Sequence, residues 1–190
     1  AAGDTSAMIM YFTSAIHACA LLNQGEYKDA FIVANNVISM AERERYVGIF
    51  GPLDAMYVKA RCLLEFSQIE ESQLLFEQIR NLATTWHHHI WVYIAESFIA
   101  RDLALAGNSS SALEMVRSGR GRALSLTFKN GLDTYCDLTE LFIRFTMKDW
   151  GRVGILLERL PNFLLVERVR AIYRGLRTDW GLAPGDVPSQ

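Results

Sequence analysis

The sequence predicts an all-α fold built as a stack of helix pairs, and three observations carry that prediction. Only four prolines interrupt the 190 residues, at Pro52, Pro161, Pro184 and Pro188. Apolar residues recur at steps of three and four, the spacing of one helix face, and no segment keeps the two-residue alternation of a strand. Four polar breaks, Gly25-Glu26-Tyr27-Lys28-Asp29-Ala30, Ser67-Gln68-Ile69-Glu70-Glu71-Ser72, Gly107-Asn108-Ser109-Ser110-Ser111-Ala112 and Lys148-Asp149-Trp150-Gly151-Arg152-Val153, begin at residues 25, 67, 107 and 148, separations of 42, 40 and 41. A period of about forty marks a helical repeat.

Each break reads the same way. A small or polar residue ends the first helix, an aromatic or aliphatic residue (Tyr27, Ile69, Trp150) staples the turn, and a small residue (Ala30, Ser72, Ala112) lets the two helices approach. Ser109 breaks the staple in the third copy. Four and seven residues beyond the small position stand Ala34 and Val37, Phe76 and Ile79, Val116, and Leu157 and Leu160, the expected buried stripe of each second helix. The spacing predicts helix pairs at about 5–22 with 26–44, 53–66 with 69–83, 87–106 with 109–118, and 133–147 with 150–160. One pair cannot cover its own apolar face, so neighbouring pairs must stack, as one domain over residues 1–180. A last helix at roughly 163–178 caps the stack, with Leu164, Val169, Ile172, Tyr173 and Leu176 on one side and Arg168, Arg170, Arg174 and Arg177 elsewhere. That arginine face is either the wet side of the cap or a contact for another domain or an acidic partner. Residues 181–190, G-L-A-P-G-D-V-P-S-Q, read as a flexible tail.

Bulk composition narrows the function. With 51% apolar residues and a net charge of −2, the chain can bury a core but lacks the basic footprint of a nucleic-acid binder, so no direct nucleic-acid contact is expected. Three widely spaced cysteines, Cys19, Cys62 and Cys136, form no C-x-x-C pair and suit a reducing, cytoplasmic setting. No apolar run reaches the roughly 20 residues that span a bilayer, so no membrane role is expected. The chain opens on Ala1 rather than methionine and is read as a piece of a larger protein.

The helix–turn–helix period resembles the tetratricopeptide repeat, but is longer than its usual 34 or so residues. The extra residues fall between pairs, at Arg43 to Pro52, at the S-G-R-G-R run Ser118 to Arg122, and at Phe128 to Gly131. Over residues 5 to 160 this irregular, long-helix pattern is similar to the sensor region of the large ATP-dependent LuxR-family transcriptional regulators. That resemblance implies a right-handed superhelical stack and a regulatory domain that senses a small-molecule effector or a regulatory protein in its concave groove. It also implies partner domains in the parent regulator carrying the ATPase and DNA-binding parts. The alternative is a tetratricopeptide-like adaptor that holds a peptide or partner protein without a small-molecule signal.

Thr85 to Trp91, T-W-H-H-H-I-W, concentrates three of the four histidines. On a helix His87, His88 and His89 are turned about 100° apart and fan outward, so no metal site is expected. The stripe His87, Trp91, Ile94, Ser97 and Arg101 follows one helix face. Counted from the turns, Arg101 corresponds to Arg61 and Ser97 to Tyr57, while the next repeat supplies Leu138 and Phe142. Tyr57, Arg61, His87, Trp91, Ser97 and Arg101 are therefore the candidate ligand-binding residues, a groove with aromatic walls and cationic ends suited to an anionic ligand. The competing reading has both arginines paired with Glu65, Glu96 or Asp102, knitting repeats together. Gly119 to Arg122, G-R-G-R, lacks the rest of a phosphate-binding loop and reads as a helix end with a connection. No G-x-S-x-G or H-E-x-x-H occurs, Asp133, Asp137 and Glu140 read as carboxylates near a helix start, and neither an enzyme nor a cofactor is expected.

Overall fold

Five turns among the described residues share one backbone device. The structure, a computed structural model, describes residues 2–44, 51–123 and 129–160. Eight helices fill them: α1 (Ala2–Gln24), α2 (Tyr27–Glu44), α3 (Gly51–Glu65), α4 (Ile69–Thr85), α5 (His89–Leu105), α6 (Ser109–Ala123), α7 (Lys129–Thr146) and α8 (Trp150–Arg159). No strand occurs among the described residues, so the all-α class expected from the sequence is the class observed. No described helix is long and apolar enough to cross a membrane.

At Gly25, Ser67, His87, Gly107 and Lys148 the backbone turns left-handed, with φ of 83°, 60°, 57°, 86° and 60°. The N–H of each donates to the carbonyl three residues back, and the next N–H donates to the carbonyl five residues before it. Thus Gly25 reaches Leu22 at 3.1 Å and Glu26 reaches Leu21 at 3.0 Å, while Lys148 reaches Phe145 and Asp149 reaches Arg144, both at 3.0 Å. The two bonds satisfy carbonyls that a helix end leaves bare. Glycine adopts this conformation freely, whereas Ser67, His87 and Lys148 adopt it at a cost of about 1 kcal/mol each. Four of these residues are the ones that open the polar breaks of the repeat.

The fifth, His87, corrects an expected boundary. Its left-handed backbone ends α4, and α5 begins only at His89. The S-G-R-G-R run is corrected too: it lies inside α6 rather than in a connection. Gly119 there is buried, and Arg120 reaches across to α7, so tertiary contact carries the helix past two glycines that weaken it by about 1 kcal/mol each. Gly51 and Pro52 open α3, where proline's missing N–H has no partner to lose. Lys129 to Gly131 open α7. Residues 45–50 and 124–128, the expected helix at 163–178 and the tail at 181–190 lie outside the described residues.

Packing follows the predicted stripes. Ala30, Ser72, Ala112 and Val153 are fully buried, and Ser72 Oγ donates to the Ala60 carbonyl at 2.9 Å, tying α4 to α3. Ala34, Val37, Phe76, Ile79, Val116, Leu157 and Leu160 are all buried. Each of the larger side chains contributes about 1.5–3 kcal/mol by leaving water. The staple holds at Trp150, which meets Phe145 edge-on at 5.2 Å, and at half-buried Tyr27. It fails at Ile69, which is 51% exposed, so the backbone bonds close that turn unaided.

The chain forms two compact units, Ala1–Ile99 and Ala100–Gln190, with the boundary inside α5. In the first, α3 packs against both α1 and α2, and one apolar cluster joins Tyr11, Ala15 and Ala18 to Ala34, Val37, Ala55, Val58 and Cys62. In the second, α7 packs against α6 and α8, and Leu141, Val153, Leu156, Leu157 and Leu160 form one buried apolar cluster.

Candidate functional site

Helix periodicity brings Tyr57 and Arg61, four residues apart on α3, onto one face. Arg61 Nη1 donates to the Tyr57 hydroxyl at 3.0 Å. The guanidinium carbon sits 5.9 Å from the centre of the Tyr57 ring and 5.4 Å from that of Phe98 on α5. Under it lies an aromatic floor. Tyr57 contacts Trp91 at 5.8 Å, Phe98 at 5.8 Å and Phe76 at 6.5 Å, and Phe76 stacks parallel on Phe98 at 4.4 Å. Phe76 is fully buried and Trp91 and Phe98 nearly so, while Arg61 keeps partial contact with solvent.

Arg61 has no carboxylate within ion-pair distance among the described residues. It carries five N–H donors, and one bond to Tyr57 uses one of them. The rings hold a cation electrostatically, without neutralising it, by about 0.5–1 kcal/mol at a partly exposed site. The result is a positioned guanidinium whose remaining donors can meet a carboxylate or phosphate in a forked pair.

The other candidate residues fall differently. Trp91 belongs to the floor. Ser97 is buried, and its hydroxyl donates to the Tyr93 carbonyl at 2.9 Å, so it serves its own helix. His87 is exposed in the turn before α5 and does not begin that helix's stripe. Arg101 lies in the second unit, its guanidinium carbon 4.4 Å from the centre of the Phe142 ring. Arg101 and Phe142 each stand six residues before a left-handed turn residue, Gly107 and Lys148, so equivalent positions of successive repeats touch. Phe76 and Phe98 were not among the candidates. Phe76 stood in the predicted buried stripe, but which ring it would meet depends on how helices cross.

The second unit holds a different arrangement, also unforeseen. Asp137 and Glu140, both buried, lie one turn apart in mid-α7 rather than at a helix start. Arg120 of α6 reaches Asp137 at 2.7 Å and Glu140 at 3.4 Å. Arg152 of α8 donates to Glu140 at 3.2 Å, and Arg159 reaches Asp137 at 3.4 Å. Arg144 lies 3.5 Å from Glu140 and bonds Asp149 at 2.9 Å, while Asp149 also accepts the Arg152 N–H that opens α8. Four arginines and three carboxylates thus bind three helices, and each of these guanidiniums is engaged.

Cysteines and histidines add little chemistry. Burial pushes the Cys62 thiol up to about 11, against the opposing pull of Arg61, and the Cys136 thiol up to about 12. Burial, and then the nearby Asp54 carboxylate, also raises the Cys19 thiol. Thiols so shifted stay protonated at neutral pH and pack as small apolar groups. Among the described residues no group of three or more His, Cys, Asp or Glu is placed to hold a metal ion. Compared with known proteins, the chain matches no family model, no curated sequence and no solved structure.

Proposed function

We propose that the chain is an effector-sensing or protein-interaction module of stacked helix pairs, the regulatory domain of a larger transcriptional regulator similar to the LuxR-family ATP-dependent type. In this reading the pairs stack as a tetratricopeptide-like superhelix, and an anionic effector binds at Arg61 over the floor of Tyr57, Trp91 and Phe98. One observation carries it: Arg61 is positioned by rings and a hydroxyl, with no carboxylate among the described residues within ion-pair distance. A ligand carboxylate or phosphate gains that cation without first breaking an ion pair, and an apolar body beside it would cover the exposed edge of the half-buried Tyr57 ring. To signal, the effector must bind one conformation of the module more tightly than another.

The test is a thermal-shift screen of the chain against anionic metabolites, repeated on Arg61→Ala and Arg61→Lys. A hit should be lost in both variants, because lysine cannot reproduce the fork, and at a ligand concentration 100 times its Kd it should stabilise by about 2.7 kcal/mol. A hit that survives in Arg61→Ala rejects this site. A peptide that binds where no metabolite does moves the function to the adaptor class.

A further inference from the structure

Helix α1 is apolar on two sides. Tyr11, Ala15, Ala18 and Leu22 are buried in the cluster shared with α2 and α3. On the outer side Ile9, Met10 and Ile16 stay 60%, 59% and 68% exposed, with Thr13 and Ala20 exposed along the same side. No Asp, Glu, Lys or Arg occurs from Thr5 to Gln24. A helix that is apolar on two opposite faces has a second face to cover, and here that face carries only neutral polar side chains beside its apolar ones, His17 among them.

The repeat register says by what. The left-handed residues Gly25 and Ser67 end the first helices of successive pairs 42 residues apart, so Thr13, Ile16 and Ala20 of α1 correspond to Ala55, Val58 and Cys62 of α3. Those three are fully buried in the cluster with α1 and α2, and they form the face by which α3 receives the preceding pair. We infer that the outer face of α1 is the same receiving face one period earlier, and that its occupant is a further helix pair of this repeat type, presenting small and aliphatic uncharged residues. The inference rests on the stacking part of the proposed function and not on a ligand at Arg61. A membrane surface fits less well, because interfacial helices pair their apolar side with lysines and arginines, and α1 has none.

The experiment repeats residues 2–50 directly ahead of Ile9, which keeps the register that α1 and α2 hold on α3, and compares this chain with the parent by helical circular dichroism, thermal melting and hydrogen exchange. An isolated pair cannot cover its own face, so folding of the added pair is itself a readout. The expected result is added helical signal, a higher midpoint, and slowing of amide exchange over the original α1 by about tenfold or more. Ile16→Glu in the original α1 should remove the gain yet leave the parent's midpoint unchanged, while Ile16→Val keeps it. An added pair that stays unfolded, or α1 exchange unaltered beside a folded pair, overturns the inference. So does a parent chain that sediments as a dimer dissociated by Ile16→Glu, which gives the face to a second copy. Flotation with phosphatidylcholine–phosphatidylserine vesicles, lost in the same variant, gives it to a membrane and overturns it equally. Loss of effector binding in Arg61 variants touches none of these readouts.

Discussion

The two units treat arginine in opposite ways. In the first, Arg61 lies on the Tyr57 and Phe98 rings with a hydroxyl as its hydrogen-bond partner. In the second, Arg120, Arg144, Arg152 and Arg159 converge on Asp137, Glu140 and Asp149. Exposure alone does not separate them, since Arg61 and Arg120 are both half-buried. What differs is the partner. A carboxylate neutralises the cation and makes it a brace between helices, whereas an aromatic floor orients the charge and leaves it unspent. A guanidinium that holds helices together is a poor place to bind an anion, because the anion must compete with a resident one.

The largest expected effect breaks the brace. Glu140→Ala leaves Arg152 without its buried acceptor, while Arg120 keeps Asp137 and Arg144 keeps Asp149. The loss should be about 3 kcal/mol, the low end for a broken buried pair, read as a lower midpoint in urea. Arg61→Ala in the other unit should cost less, about 1–2 kcal/mol, from cation–π contacts with two rings at a half-buried site and one hydrogen bond. Equal losses in the two variants would mean that Arg61 is also a brace, and the contrast between units would fall.

A smaller effect separates the units by pH. Burial raises the Asp54 carboxyl, at the start of α3, from 3.8 to about 6, and its charge in turn bears on Tyr11 and Cys19 of α1. The native state therefore binds this proton more tightly than the unfolded chain does. Its contribution to stability is complete below about pH 4 and is lost as pH rises through 6. The difference in unfolding free energy between the parent and Asp54→Asn, followed from pH 4 to 7, should shift in favour of the asparagine variant as pH rises. A flat difference would mean that Asp54 is solvated.

The smallest effect should be the same in both units. Ser67 and Lys148 hold left-handed backbone in equivalent turns, so Ser67→Gly and Lys148→Gly should each stabilise by about 0.5 kcal/mol or less, the strain relieved minus the added freedom of the unfolded chain. Opposite signs would show that one of these side chains makes a contact worth more than its strain.

The turns were legible in the sequence because their chemistry is local. Small and polar residues at 25, 67, 107 and 148 stand where helices must stop, and Ala30, Ser72 and Ala112 stand where helices meet. The start of α5 was not legible, because three successive histidines carry no sign of which one turns left-handed. Nor was α6 beyond Ser118, where contact with α7 outweighs two glycines. Counting from the turns paired Arg61 with Arg101 and Tyr57 with Ser97, whereas in the structure Tyr57 meets Arg61 and Trp91, and Arg101 stands on Phe142 in the other unit.

The sequence by itself determined that the chain is helical, where the first helix of each pair ends, and which stripe of each second helix is buried. These depend on contacts within a few residues, which periodicity records. Tertiary structure alone decided which arginine met a ring and which met a carboxylate. Asp137 and Glu140 look like any polar pair on a helix until α6 and α8 bring arginines from 17 and 12 residues away. The partner of a long side chain is set by how helices cross, and crossing angles leave no mark in the spacing of a single strand of sequence.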